Sequence, residues 1–252
     1  MVIAAAGADR RLDTLVQSIV ARLEPEMVLL FGSRARGDAR EDSDYDLMLV
    51  FPDGVDVESA LSAANDAARA AKVFAEIMAC TAAEYQRRQH DPGFMQWVVA
   101  REGRLLFGRG NMPQYSPRTD RVREQPREGL EVWLARAEGD FRSALELSAS
   151  EDPVWASVCF HAHACVEKLL KALLVAQGRF PPRTHELEDL IALAAPALLG
   201  EVPFVADCKT LQDVYPKSRY VPHPLPTPEE GRRAIEAARR ARHRLLTELE
   251  RQ

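Results

Sequence analysis

Hydrophobic and polar positions divide this chain into a mixed first half and a wholly helical second half. Leu12, Leu15, Val16, Ile19, Val20 and Leu23 recur at helical spacing, predicting an amphipathic helix that Pro25 ends. Met27 to Phe31 is a short apolar run stopping at Gly32, the pattern of a buried strand. A second strand is predicted to end near Phe51, where Pro52-Asp53-Gly54 marks a turn. The alanine-rich stretch Val57 to Ala71 reads as a helix. Lys72 to Ala79 reads as a third strand, with Phe74, Glu76 and Met78 on one face. Thr81-x-x-Glu84 has the capping-box pattern of a helix start, Phe94, Trp97 and Val98 form an apolar helical stripe, and Leu105 to Phe107 is assigned to an edge strand.

From Gly108 to about Glu128 the periodicity stops, and glycines, prolines and basic residues mark a linker. The expected domains are 1–108 and 128–252, joined by 109–127. Beyond the linker only helices are predicted. Leu130 to Leu145 forms one, and Val154 to Ala176 a second, stopped at Gly178. His185 to Ala194 and Val205 to Tyr215 are shorter. A long last helix opens at Thr227-Pro228-Glu229-Glu230 and runs to about Glu250. The fold class is α+β, a mixed-sheet domain followed by an all-α bundle of about five helices.

Composition changes this picture little. The chain has 252 residues, 46% hydrophobic and 28% charged, as in an ordinary soluble protein. Its net charge of −5 argues against a generic nucleic-acid-coating protein. Cys80, Cys159, Cys165 and Cys208 show no zinc spacing and are expected to be buried thiols in a reducing compartment. Met1 to Ala6 is too short for a signal peptide and no long apolar run follows, so no membrane segment and a cytoplasmic location are expected.

The chemistry concentrates at Gly32-Ser33-Arg34-Ala35-Arg36-Gly37 and, shortly after, Asp42-Ser43-Asp44-Tyr45-Asp46. Gly32 permits a tight turn and close approach of a ligand, Ser33 adds a hydroxyl and an N–H, and Arg34 and Arg36 add permanent positive charge. These are the parts of a phosphate cradle. Asp44 and Asp46, two apart on a strand, point the same way, and such hard oxygen ligands suit Mg²⁺. Glu76 is a carboxylate in an otherwise apolar strand, costly unless partnered, and a metal held by the two aspartates would partner it. The bland alternatives are a solvated acidic strand edge and a salt-bridged edge-strand glutamate.

Gly32-Ser33 followed by Asp44-x-Asp46 resembles the signature of the nucleotidyltransferase superfamily typified by polymerase beta, in its minimal bacterial form. The resemblance implies an enzyme that moves NMP from an NTP to a hydroxyl acceptor on a small molecule, a protein or an RNA. Mg²⁺ (or Mn²⁺) would be held by Asp44, Asp46 and Glu76, and the phosphates by Gly32, Ser33 and Arg34 or Arg36. Glu76 matches the third acidic position, on the strand after the helix, where the family often has Asp. ATP is the default donor on cellular abundance, making AMP the group transferred.

In the second half His163, Glu167 and Lys171 are four apart and stack on one side of a helix, near His161 and Lys168. They read either as a surface ion-pair ladder or as a cleft-facing set, in which Glu167 accepts a hydroxyl proton and His or Lys binds phosphate. Phe160-His161-Ala162-His163, Glu167-Lys168, Lys171-Ala172-Leu173-Leu174, Thr184-His185-Glu186-Leu187 and Ser218-Arg219-Tyr220 together resemble the HEPN domain family. That resemblance implies a helical bundle, commonly a homodimer, that travels with minimal nucleotidyltransferases, as in toxin–antitoxin pairs. It makes His163, Glu167, Lys171, His185 and Arg219 candidates for an acceptor or nucleotide site. Many HEPN proteins are ribonucleases with Arg, a few residues, then His. Here Arg219 and His223 are separated by only three residues, beside Pro222 and Pro224, and Arg179 and His185 straddle Pro181-Pro182. The alternative function is therefore nucleotide or RNA binding, or RNA cleavage restrained by the fused head.

Overall fold

A computed structural model describes residues 2–3, 10–40, 43–108, 128–219 and 223–252. The chain divides into two compact units, Met1–Gln125 and Pro126–Gln252. In the first, the elements are β1 (Val2–Ile3), α1 (Arg10–Leu23), β2 (Met27–Phe31), α2 (Gly32–Arg36), β3 (Tyr45–Phe51), α3 (Val57–Ala71), β4 (Ala75–Thr81), α4 (Ala82–Arg88), α5 (Met95–Glu102) and β5 (Arg104–Gly108).

The sheet order is β1-β5-β2-β3-β4. Only β3 and β4 run parallel, because α3 carries the chain back between them. Alternation along the strands builds a core on each sheet face. Val28, Leu30, Leu47, Leu49 and Phe51 pack with the apolar stripes of α1 and α3. Leu29, Phe31, Met48 and Val50 face the other way, against Tyr85 of α4 and Val99 of α5. The strand expected at an edge, β5, is internal, because β1 pairs with its Phe107 and Gly108. The edges belong to β1 and β4. Strand β4 starts at Ala75 rather than Lys72, because Lys72 adopts a left-handed conformation (φ 53°) that closes α3. Thr81 caps α4 by accepting from the Glu84 N–H. The Glu84 carboxylate pairs with Arg88, so the reciprocal half of the expected capping box is replaced by an ion pair along the helix.

The second unit comprises α6 (Glu128–Ser148), α7 (Trp155–Ala176), α8 (Leu187–Ala194), a 3₁₀ turn over Pro196–Gly200, α9 (Val202–Arg219) and α10 (Pro228–Leu249). The centre is α7, buried from Val158 to Val175 except at Phe160, His161 and Lys168, with α6, α8, α9 and α10 packed around it. A helix apolar on nearly every side belongs inside a bundle. Some boundaries differ from expectation. Helix α8 begins at Leu187, leaving His185 ahead of it. Helix α9 extends past Tyr215 through Pro216, which near a helix end forfeits a single backbone hydrogen bond. The 3₁₀ turn had no periodic signal. The expected linker, 109–127, lies outside the described residues. No helix among the described residues is long and apolar enough to cross a membrane.

Candidate functional site

The acidic face of β3 grades from solvent to core. Asp44 is exposed just before the strand, Asp46 is half-buried, and Met48 and Val50, two and four residues on, lie in the core against α4 and α5. Asp46 is the register partner of Phe31 on one side and of Glu76 on the other. Register partners on neighbouring strands project to one face, so the carboxylates of Asp46 and Glu76 lie side by side. Glu76 is exposed on the edge strand, which corrects the expectation of a buried carboxylate needing rescue from an apolar strand.

Gly32 closes the site from the β2 side. Its φ of +71° is left-handed, and a Cβ there would lie 2.0 Å from Asp46 Oδ2 and 2.9 Å from its Cγ. Glycine is therefore required twice, for the backbone angle and for the space that the Asp46 carboxylate occupies. We expect Gly32→Ala to lower stability by about 1–2 kcal/mol from the backbone alone and to push Asp46 off its position. Thermal denaturation reads the first effect. A crystal structure of the variant reads the second, which would not stand if Asp46 kept its rotamer.

Both arginines of the turn make contacts within the protein. Arg34 donates from Nε to the Ser43 carbonyl (2.8 Å), and its guanidinium lies 4.1 Å from the Tyr45 ring centroid. It thus fastens the loop that delivers Asp44. Arg36 pairs with Asp38 (3.4 Å) and with Glu102 (2.9 Å), and the Glu102 contact comes first in holding its pKa above the usual guanidinium value. Glu102 also accepts from the Gly32 N–H at 3.2 Å. Nothing in the sequence points to Glu102, which ends α5 far along the chain from the turn.

Among the described residues no three His, Cys, Asp or Glu groups converge closely enough to hold a metal ion. Mg²⁺ is seldom caged by protein alone. It is usually bound through one or two carboxylates, with substrate phosphates and water completing the octahedron. Asp46 and Glu76 side by side, with Asp44 one strand repeat away and the Asp46 carboxylate set against Gly32 of the turn, fit that kind of site. The four cysteines do not compete for this role. All are buried, and burial pushes Cys80 up to about 11 and Cys159, Cys165 and Cys208 up to about 12.

In the helical unit the residues four apart on α7 are not a surface ladder. His163, Glu167 and Lys171 are all buried, because this side of α7 lies under α8 and α9. Lys171 Nζ donates to Glu167 Oε1 at 2.6 Å, and His185 Nδ1 lies 3.0 Å from Glu167 Oε2. His163 Nε2 meets Gln212 Oε1 at 3.3 Å, and that oxygen also accepts from the Leu187 N–H at 3.0 Å. The His163 ring stacks on Tyr215 at 4.2 Å between centroids. Burial raises the Glu167 pKa, but hydrogen bonds from Lys171 and His185 outweigh it and hold the group below its ordinary value. Burial pushes His163 down to about 4, only partly offset by Gln212 and Glu167. His185, 56% exposed at its side chain, is the member of the network open to solvent. His161 and Lys168, off the buried face, share Asp140 instead. Arg219, in the last turn of α9, places its guanidinium 5.1 Å from the Phe160 ring centroid, away from this network's hydrogen bonds. Residues 220–222, between Arg219 and His223, lie outside the described residues. Gln212, Tyr215 and Asp140 were not found in the sequence, for their spacing from α7 carries no local signal.

Residues 14–111 match the family model described as polymerase beta, nucleotidyltransferase, and residues 130–249 match that of the HEPN domain. The chain joins a nucleotidyltransferase domain to a HEPN domain. The first match contains the turn, all three carboxylates and Glu102. The HEPN match contains the whole buried network. A solved structure titled as that of TT1696 from Thermus thermophilus is 25% identical over 47% of this chain and 96% of its own, with a TM-score of 0.42. An archaeal HEPN homologue, ST0689, is 22% identical over 48% of this chain and 97% of its own, with a TM-score of 0.38. Among curated proteins, none matches the chain.

Proposed function

We propose that the first domain transfers a nucleoside monophosphate from an NTP to a hydroxyl group, with Mg²⁺ or Mn²⁺ held by Asp46 and Asp44 and shared with Glu76. The observation that carries this reading is the register of Asp46 beside Glu76, with the Asp46 carboxylate packed against Gly32 of the turn. A metal there supplies Lewis-acid stabilisation of charge developing on the phosphoryl oxygens. The chain's own groups do the rest. The N–H groups and hydroxyl of Gly32 and Ser33, with Arg36, bind the β- and γ-phosphates as donors already oriented by α2, and this preorganisation favours the transition state. Arg34 holds the loop so that Asp44 stays beside Asp46. Glu76, exposed and one strand outward, is the carboxylate placed to take the proton of an incoming hydroxyl.

The helical domain, residues 128–252, carries an acid–base group of its own, His185 beside Glu167. An ionised carboxylate only accepts, so His185 Nδ1 is the donor toward Glu167, and Nε2 is the ring nitrogen left on the other side. That is the orientation a nucleotide or an acceptor hydroxyl could use. ATP is taken as donor.

The test is transfer of label from ATP carrying it on either the α- or the γ-phosphate, incubated with Mg²⁺ and the protein alone, a lysate, small RNAs or aminoglycosides. Nucleotidyl transfer moves the α label to the acceptor and leaves the γ label in pyrophosphate. Movement of the γ label instead would make the protein a kinase and sink this reading.

A further inference from the structure

Glu102 occupies the place where the proposed reaction needs a phosphate. Its Oε1 accepts from the Gly32 N–H at 3.2 Å, and its two oxygens accept from Arg36 Nη1 at 2.9 and 3.1 Å. A carboxylate spanning a backbone N–H and a guanidinium satisfies the donors that a phosphate would engage, since both anions are strong acceptors of charge-assisted hydrogen bonds. The contact is long-range in the chain, joining the end of α5 to α2. It is also open, with the Arg36 side chain 45% and the Glu102 side chain 26% exposed. Ion pairs this accessible are weak and can be exchanged for a better anion.

We propose that Glu102 is an internal competitor for the phosphate turn, and that a triphosphate binds by displacing its carboxylate from Gly32 and Arg36. This rests on the reading of Gly32 to Arg36 as the phosphate turn. Two consequences follow from charge alone. A ligand bearing a single weak charge gains little over the carboxylate already present, so the turn discriminates for polyanions. The displaced carboxylate also remains near the incoming phosphates and repels them. A triphosphate whose charge is partly neutralised by a divalent cation is repelled less, so Glu102 favours the metal-complexed nucleotide over the free one.

The test is titration calorimetry on the full chain, wild type against Glu102→Gln, with inorganic tripolyphosphate and with Mg²⁺–ATP. Glutamine keeps the volume and one acceptor oxygen but loses the charge, and a matching melting temperature shows that the fold is kept. The variant is expected to bind both ligands about two- to fivefold more tightly, with the larger gain for metal-free tripolyphosphate. Glu102→Asp, one methylene shorter, is expected to shift in the same direction and serves if the glutamine variant does not fold. If wild type binds and the variants bind equally or more weakly, Glu102 shapes the turn and the proposal is overturned while the phosphate reading stands. If wild type and variants alike bind neither ligand, the phosphate reading fails and the proposal with it.

Discussion

Asp46→Ala is expected to lower transfer of α label by about a thousandfold or more, the largest loss of any single carboxylate. A divalent cation stabilises phosphoryl charge by several kcal/mol, and about 4 kcal/mol is a factor of a thousand. Asp46 should carry most of this because it alone is fixed on both sides. Phe31 and Glu76 flank it in register, and Gly32 leaves the space its Oδ2 fills. Asp44, exposed and ahead of the strand, is held through the Arg34–Ser43 hydrogen bond. Its alanine variant should lose less, and Glu76→Ala, at the exposed edge, less again. Asp46→Asn separates charge from shape. It preserves volume and rotamer, so a metal-ligand role predicts that it is as inactive as alanine, with the melting temperature of either variant close to wild type. An asparagine variant with near wild-type turnover would mean that Asp46 only packs under the turn, and the metal site would have to be sought elsewhere.

How much of this could be read from the sequence depended on whether a signal was local. Met27–Phe31 and Val57–Ala71 are bounded in the structure as the sequence predicts, since a glycine stop and an alanine-rich run are complete within their own segments. The turn and the paired aspartates were legible for the same reason. What escaped is what the third dimension creates. Strand β5 is internal because a two-residue strand from the far N-terminus pairs with it. Glu76 is the register partner of Asp46, but it lies exposed on an edge strand, the position of the alternative reading, because an apolar strand read alone looks buried on both faces. The α7 residues spaced four apart gave the shared face and left the environment open between a surface ladder and a covered cleft, because periodicity shows which side chains share a face and not what covers it. Glu102 and Gln212 meet their partners through contacts 66 to 70 and 25 to 49 residues long, beyond any local pattern.

That buried environment makes the HEPN domain acid-labile in a defined window. His163 is fully buried, with a pKa pushed down from 6.5 to about 4 by burial. Between those values the unfolded chain takes up a proton that the folded chain refuses. Stability is therefore retained above pH 6.5, falls as pH drops toward 4, and loses about 3 kcal/mol in all, of which about 2 kcal/mol goes between pH 7 and 5. Glu167, held below its ordinary value, adds a further loss only below about pH 4.5, so the upper part of the window isolates the histidine. The groups around the ring are Glu167 on its own helix, His185 ahead of α8, and Gln212 and Tyr215 of α9. His163→Phe keeps the volume and the stack on Tyr215, and Gln212 retains the Leu187 N–H. Hydrogen exchange followed on peptides from α7 should show opening free energy declining from pH 7 to 5 in wild type and nearly level in the variant. Equal slopes in the two proteins would place the acid sensitivity elsewhere. A level wild type would mean that the bundle admits a charged imidazole beside Glu167, in which case the network is not sealed from protons.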